Sequence, residues 1–127
     1  MSFFNWGNPV YAEFMTDLMQ KMEPTFALAG TIIYSELEQV SEVIFYCDGI
    51  FDLGYEVNEA KFYVLRYTNT SNGEDYQRKS RGEPIGEFGC TFNHTSKFIY
   101  KAHSFCEGFF VRKRYWTNVI NDHSFVS

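Results

Sequence analysis

The sequence has little cysteine and no long apolar run. Its three cysteines, Cys47, Cys90 and Cys106, show no CxxC spacing, and an odd number is typical of free thiols in a reducing compartment. Apolar runs such as residues 43–47 are far shorter than the roughly 18 residues of a membrane span. Residues 1–6 include no basic residue and no long apolar stretch, so we expect no signal peptide. These absences favour a cytoplasmic domain with no membrane span of its own.

Positive charge is also scarce. The 11 Lys and Arg residues are outnumbered by 16 Asp and Glu residues, which gives a net charge of −5 and a pI near 5.1. Affinity for phosphate backbones needs a basic surface, so the composition excludes nucleic acid as a partner. This composition still allows a small basic patch that holds one phosphate group.

Catalytic and metal-binding patterns are missing as well. The three histidines, His94, His103 and His123, form no HExxH motif and lie at no zinc-finger distance from a cysteine. There is no GxSxG elbow, P-loop or GxGxxG segment. We therefore predict no catalytic residue, no metal site and no cofactor, and we expect that the protein is not an enzyme.

Aromatic residues, in contrast, are abundant. Fourteen Phe, nine Tyr and two Trp make up 20% of the 127 residues. Each aromatic side chain buries roughly 150–250 Å² when packed, so a chain of 14.9 kDa can fill a core without disulfides. The length predicts one domain over residues 1–127.

The beginning of the chain predicts an amphipathic helix over residues 8–24. Asn8 is a good N-cap, Pro9 suits the first helical position, and Pro24 ends the pattern. An apolar stripe at helical spacing comprises Tyr11, Phe14, Met15, Leu18, Met19 and Met22. We interpret this stripe as core packing, with docking to a partner helix as the alternative.

From Phe26 the apolar period changes to two, which predicts a β-roll over residues 26–111. Strand patterns occur at residues 31–34, 43–47, 51–55, 62–67, 98–102 and 108–111. Asp48-Gly49 predicts a tight turn, and the polar residues 68–81 predict a surface loop. Trp116, Val119 and Ile120 on one face predict a C-terminal helix over residues 112–121. The expected fold class is mainly β, a jelly-roll-like β-roll with flanking helices.

One segment, residues 85–102, differs from the rest. Gly86 and Gly89 flank the start of a possible single helical turn, whose backbone N–H groups would suit an anionic or hydroxylated ligand. Thr95, Ser96 and Lys97 then precede a strand pattern. By spacing alone, an ordinary glycine-rich loop explains this segment equally well.

The segment resembles the phosphate-binding cassette of cyclic nucleotide-binding domains. The opening reads Ile85-Gly86-Glu87-Phe88-Gly89-Cys90 and the closing strand reads Ile99-Tyr100-Lys101-Ala102, at the family's usual separation. The resemblance extends in order over residues 14–121, and the Gly-Tyr-Glu-Val run at residues 54–57 is most similar to the cytosolic domains of cyclic-nucleotide-regulated potassium or cation channels.

The resemblance implies the residues of a binding site for cAMP or cGMP. Gly86 and the backbone after it would line the sugar-phosphate, and Glu87 would accept a hydrogen bond from the ribose 2′-hydroxyl. Phe88, Gly89 and Cys90 would form the short cassette helix. The family's arginine, which pairs with the phosphate, would stand at the position of Ser96, followed by Lys97. Lysine offers a point charge but not the forked geometry of arginine.

A second departure concerns the long helix that covers the base in the family. Residues 122–127 are too few for it, so we expect that this lid is absent or supplied from elsewhere. The leading hypothesis is a regulatory module on the cytosolic side of a membrane channel, which couples cyclic nucleotide binding to gating of a pore-forming portion. The alternative is a homologous interaction module that binds no nucleotide. A cupin-type enzyme would need a cluster of metal-binding histidines, which the sequence does not supply.

Overall fold

A computed structural model describes residues 9–68, 77–79 and 84–123. This part of the chain forms three helices and nine strands. The helices are α1 (Pro9–Met19), α2 (Glu87–Phe92) and α3 (Lys113–Asp122). The strands are β1 (Glu23–Ala27), β2 (Ile32–Tyr34), β3 (Glu42–Asp48), β4 (Ile50–Val57), β5 (Ala60–Thr68), β6 (Gln77–Lys79), β7 (Pro84–Ile85), β8 (Ile99–Ala102) and β9 (Cys106–Arg112).

The strands form two sheets that share one core. Four strands are ordered β1-β9-β3-β7, and five are ordered β2-β8-β4-β5-β6. Gly49, with φ of +110°, turns the chain from β3 in the first sheet into β4 in the second. A Cβ at this position would lie 2.5 Å from the carbonyl oxygen of Phe105, so only glycine fits the turn. The predicted tight turn is therefore present, and it joins the two sheets.

Helix α1 is shorter than the sequence predicts. It ends at Met19, and Pro24 lies in strand β1 rather than at the end of a helix. The residue before a proline favours extended backbone, and β1 gains antiparallel partners in β9, where Pro24 lies opposite Phe109. The predicted N-cap Asn8 lies outside the described residues.

The predicted loop over residues 68–81 is wrong at Thr68 and at residues 77–79. Thr68 is the last residue of β5, and Gln77–Lys79 forms β6, which pairs with β5 in parallel. The polar composition hid this short strand because its residues carry no apolar alternation. The remainder of that prediction lies outside the described residues.

Apolar side chains from both sheets and from α1 and α3 form the core. Tyr46 of β3 contacts Phe51 of β4 with ring centroids 6.0 Å apart, so the two sheets meet across these rings. The largest side chains with almost no exposure are Trp116, Phe14, Phe45, Phe51, Met15, Leu18, Ile85 and Ile99. The apolar stripe of α1 packs here through Phe14, Met15 and Leu18, whereas Met19 is 52% exposed.

None of the described helices is both long enough and apolar enough to cross a bilayer.

Candidate ligand-binding site

Two glycines hold helix α2 close to the segment before β3. Gly86 caps α2 with φ of +89°, and a Cβ on it would lie 2.5 Å from the carbonyl oxygen of Glu42. A Cβ on Gly89 would lie 2.7 Å from Cβ of Val40. Both positions therefore require glycine, because a side chain would displace backbone or the branched Val40.

Helix α2 is also joined to α3. The indole Nε1–H of Trp116 donates a hydrogen bond to Oγ1 of Thr91 over 2.8 Å, and Lys113 donates to the side chain of Asn93. Asn93 ends α2 in the left-handed conformation, with φ of 57°, which asparagine tolerates better than most residues. Two side-chain hydrogen bonds therefore link α2 directly to α3.

A cavity of about 290 Å³ opens beside α2. Its lining comprises Val40, Pro84, Gly86, Glu87, Phe88, Gly89, Thr95, Ser96, Lys97, Phe98 and Tyr100. Six of the seven predicted ligand-binding residues are in this set. Cys90, the seventh, is not: its side chain lies in the hydrophobic core, where burial raises the pKa of the thiol to about 11.

Ser96, at the position of the family's arginine, bonds to its own surroundings. Its N–H donates to the carbonyl of Glu38 over 2.8 Å, and its carbonyl accepts from the N–H of Leu37 over 2.7 Å. The hydroxyl donates to the carbonyl of Phe98 over 2.7 Å. The single hydroxyl proton of this buried residue thus holds the turn into β8, and the position offers no positive charge.

Lys97 alone is basic among the described residues that line the cavity. Its Nζ lies 4.3 Å from the ring centroid of Phe88, a cation–π contact. The other contacts of Phe88 are with His94, stacked at 5.3 Å, and with Phe92 at 4.9 Å. The ring is 46% exposed, so the contact with Lys97 lies close to solvent. An anion in the cavity could replace the ring as the partner of the Lys97 ammonium.

Glu87 lies in the first turn of α2 and lines the same cavity. A carboxylate accepts hydrogen bonds from hydroxyl groups. With Glu87 and Lys97, the described lining combines one acidic and one basic side chain with aromatic rings. Tyr100 adds a hydroxyl whose pKa burial raises to about 12, which keeps it a neutral donor at physiological pH.

The sequence did not identify Val40 or Pro84 as site residues. Val40 comes from a distant segment, which pairs with the cavity segment through the bridge between Gln39 and Thr95 and through the hydrogen bonds of Leu37 and Glu38 with Ser96. Patterns within a short stretch of sequence do not predict a contact between distant segments. The local sign of this contact is Gly89, which must be glycine because Val40 packs against it.

The three histidines do not converge. The ring nitrogen Nδ1 of His103 lies 3.0 Å from Nη2 of Arg66, and Nε2 of His123 lies 2.7 Å from Oδ2 of Asp17. The described residues hold no group of three or more His, Cys, Asp and Glu side chains that could bind a metal ion.

Sequence comparisons return nothing for this chain: no family model matches it, and neither does any curated protein. Solved structures do match. The regulatory domain of Toxoplasma gondii protein kinase A in complex with cAMP superimposes with a TM-score of 0.70 at 12% identity, over 87% of this chain and 38% of that one.

Two further structures match equally well. A candidate cyclic nucleotide binding protein from Ruegeria pomeroyi has a TM-score of 0.70 at 15% identity, over 91% of this chain and 46% of that one. The regulatory subunit of a cAMP-independent protein kinase A from Trypanosoma cruzi, bound to guanosine, has a TM-score of 0.70 at 14% identity, over 93% and 39%.

These likenesses concern architecture, since fewer than one residue in six is identical, and the chain spans less than half the length of the proteins it matches. They confirm the predicted fold class, a mainly β roll with flanking helices. This chain has the fold of the cyclic nucleotide-binding domains.

Proposed function

We propose that this chain is a regulatory module that binds a cyclic nucleotide, cAMP or cGMP, in the cavity beside α2. The observation that carries the proposal is that Glu87 and Lys97 line the same cavity. The carboxylate accepts from ribose hydroxyls, and the ammonium faces the cyclic phosphate once it leaves the ring of Phe88. The domain of T. gondii protein kinase A with the same fold is bound to cAMP.

The size and lining of the cavity support a ligand of this class. Its volume of about 290 Å³ lies just below the usual range for small-molecule sites, about 300–1,000 Å³, which suits a small ligand. The aromatic rings of Phe88, Phe98 and Tyr100 provide surfaces on which a purine can stack.

The regulated portion is the second element of the proposal. The Trp116–Thr91 hydrogen bond connects the cavity helix α2 to α3, so ligand binding biases the position of α3. On the sequence resemblance, the attached portion is the pore-forming part of a cation channel, and α3 transmits occupancy to the gate.

Isothermal titration of the domain with cAMP, cGMP, adenosine and guanosine tests this function. We expect cyclic nucleotide binding that Glu87→Gln weakens at least tenfold, with the exposed Glu59→Gln as the matched control. Lys97→Met should weaken cyclic nucleotides but not nucleosides, because only the former carry a charge for the ammonium. Absence of heat and of any melting-temperature shift at millimolar concentration of all four compounds would leave the interaction module as the function.

A second candidate is an uncharged nucleoside as the ligand. It is favoured by Ser96, whose hydroxyl is bonded to the carbonyl of Phe98 and which supplies no charge for a phosphate. The T. cruzi regulatory subunit of the same fold is bound to guanosine. Nucleoside binding that Lys97→Met does not change, together with no binding of cAMP or cGMP, would establish this candidate over the first.

A further inference from the structure

A second concave surface lies on the outer face of the four-stranded sheet. This groove, of about 560 Å³, is lined by Pro24, Thr25, Phe26, Cys47, Asp48, Phe105, Glu107, Gly108 and Phe109. It shares no lining residue with the cavity beside α2. Strand β1, which forms one of its walls, lies at the edge of this sheet in the order of the described strands.

Three phenylalanine rings give the groove its apolar surface. Phe26, Phe105 and Phe109 are 63%, 48% and 42% exposed, and the rings of Phe26 and Phe105 stack 5.8 Å apart. The strand register places Phe109 opposite Pro24 and Phe26 opposite Glu107, so the exposed side chains form one continuous surface across β1 and β9. Exposed aromatic side chains grouped in this way are typical of an interaction site.

The groove is negatively charged at one end. Asp48 of β3 lies directly opposite Glu107 of β9, where the register shifts, and like charges at opposite positions destabilise a sheet. Burial and the charges of these two carboxylates together raise the pKa of the Cys47 thiol, which also lines the groove. The nine lining residues include two acids and no base, so the charge of the groove is complementary to a basic group.

We propose that this groove docks a peptide segment of a partner protein in which a Lys or Arg lies next to a large apolar side chain. The basic group would lie between Asp48 and Glu107, and the apolar side chain would pack on Phe26, Phe105 and Phe109. The negative charge of the groove argues against two other occupants, a second copy of this chain and a lipid surface. A second copy of this chain also carries a net charge of −5, and anionic lipid surfaces are repelled by carboxylates.

The probe is a library of rhodamine-labelled eight-residue peptides with one Lys or Arg and one Phe, Leu or Trp at every spacing. Binding is measured by fluorescence anisotropy. We expect that the best peptides lose at least tenfold in affinity with Glu107→Lys and with Phe26→Ser. The matched controls are Glu59→Lys, an exposed acid outside the groove, and Phe62→Ser, an exposed phenylalanine on β5. Neither control should change affinity.

Cys47 supplies an independent readout, because it is exposed while Cys90 and Cys106 are buried. A bound peptide should slow the alkylation of Cys47 by iodoacetamide at least fivefold, and cAMP should not. The proposal is overturned if no library member binds below 1 mM, or if peptides with Glu in place of the base bind equally well. It is also overturned if Glu107→Lys matches its control, or if the protein self-associates through this face.

Discussion

Ser96 and Lys97 make different contacts in the cavity beside α2. The two residues are adjacent in sequence, yet their roles differ: the Ser96 hydroxyl is bonded to the carbonyl of Phe98, whereas Lys97 contacts the exposed ring of Phe88. A neutral residue thus stands before the turn into β8, and among the described lining residues Lys97 alone carries a positive charge.

Introducing a guanidinium at this point should strengthen cyclic nucleotide binding. Ser96→Arg adds a donor that can pair with a phosphate through two hydrogen bonds, and charge-assisted bonds contribute about 1.5–3 kcal/mol each. We expect at least tenfold tighter binding of cAMP or cGMP in calorimetric titration, with no gain for adenosine. Ser96→Gln, similar in length but neutral, is the control. An Arg variant that folds as the parent does but binds no more tightly would contradict the assignment of this position.

At the scale of elements, the three helices form a connected unit on the roll. Helix α1 meets α3 through the hydrogen bond between Asp17 and His123 and through the edge-to-face contact of Phe14 with Trp116. Trp116 in turn donates to Thr91 of α2. The indole is therefore the point at which the cavity helix and both flanking helices are joined.

Removing the Thr91 hydroxyl, the acceptor on α2, should weaken the coupling of the cavity to α3 while the cavity lining stays intact. Thr91 does not line the cavity, so Thr91→Val should change ligand affinity less than threefold. Loss of its hydrogen bond with Trp116 should lower the free energy of unfolding by about 1 kcal/mol, measured in urea. In a Trp6→Phe background, the ligand-induced change in Trp116 fluorescence should shrink. Thr91→Ser keeps the hydroxyl and should restore it; a signal that survives in Thr91→Val would contradict this route.

At the scale of the whole molecule, the shared core buries weak acids that ionise only at high pH. Burial raises the pKa of Tyr34, Tyr46 and Tyr100 to about 12, from 10.0, and the pKa of Cys90 and Cys106 to about 11, from 9.0. The unfolded chain therefore loses these protons before the folded chain does. The contribution of these groups to stability is present below pH 9, the ordinary pKa of a thiol, and is lost as the pH rises towards 12.

This dependence can be measured by urea unfolding at pH 8, 9.5 and 11. We expect a progressive loss of unfolding free energy over that interval. Tyr46→Phe removes one such acid. Between pH 10 and 12, the unfolding free energy of this variant should therefore fall less steeply with pH than that of the parent, by up to about 1.4 kcal/mol per pH unit. A free energy that stays constant to pH 11 would show that the buried hydroxyls and thiols ionise freely in the folded state.

Local chemistry made most of the fold and part of the site predictable. Alternation identified β2, β3, β4, β5, β8 and β9. The segment with Gly86 and Gly89 was singled out by its resemblance to the family's cassette, and the structure shows that neither position tolerates a side chain. Strands β1, β6 and β7 were not predicted, since they are short and exist through pairing with distant partners. Val40 escaped for the same reason, and Cys90 was misplaced because the sequence does not show which side of a single helical turn faces the core.

The position of β9 has a consequence for how the chain acquires its structure. It is among the last elements along the sequence, yet it lies between β1 and β3, which are among the first. In a growing chain, β1 has no described partner until Arg112 has left the ribosome, and closing so long a loop is entropically costly and slow. Strand β1 and the edge of β3 that faces β9 therefore stay unpaired while the residues between β3 and β9 are synthesised, and unpaired strand edges are prone to aggregation.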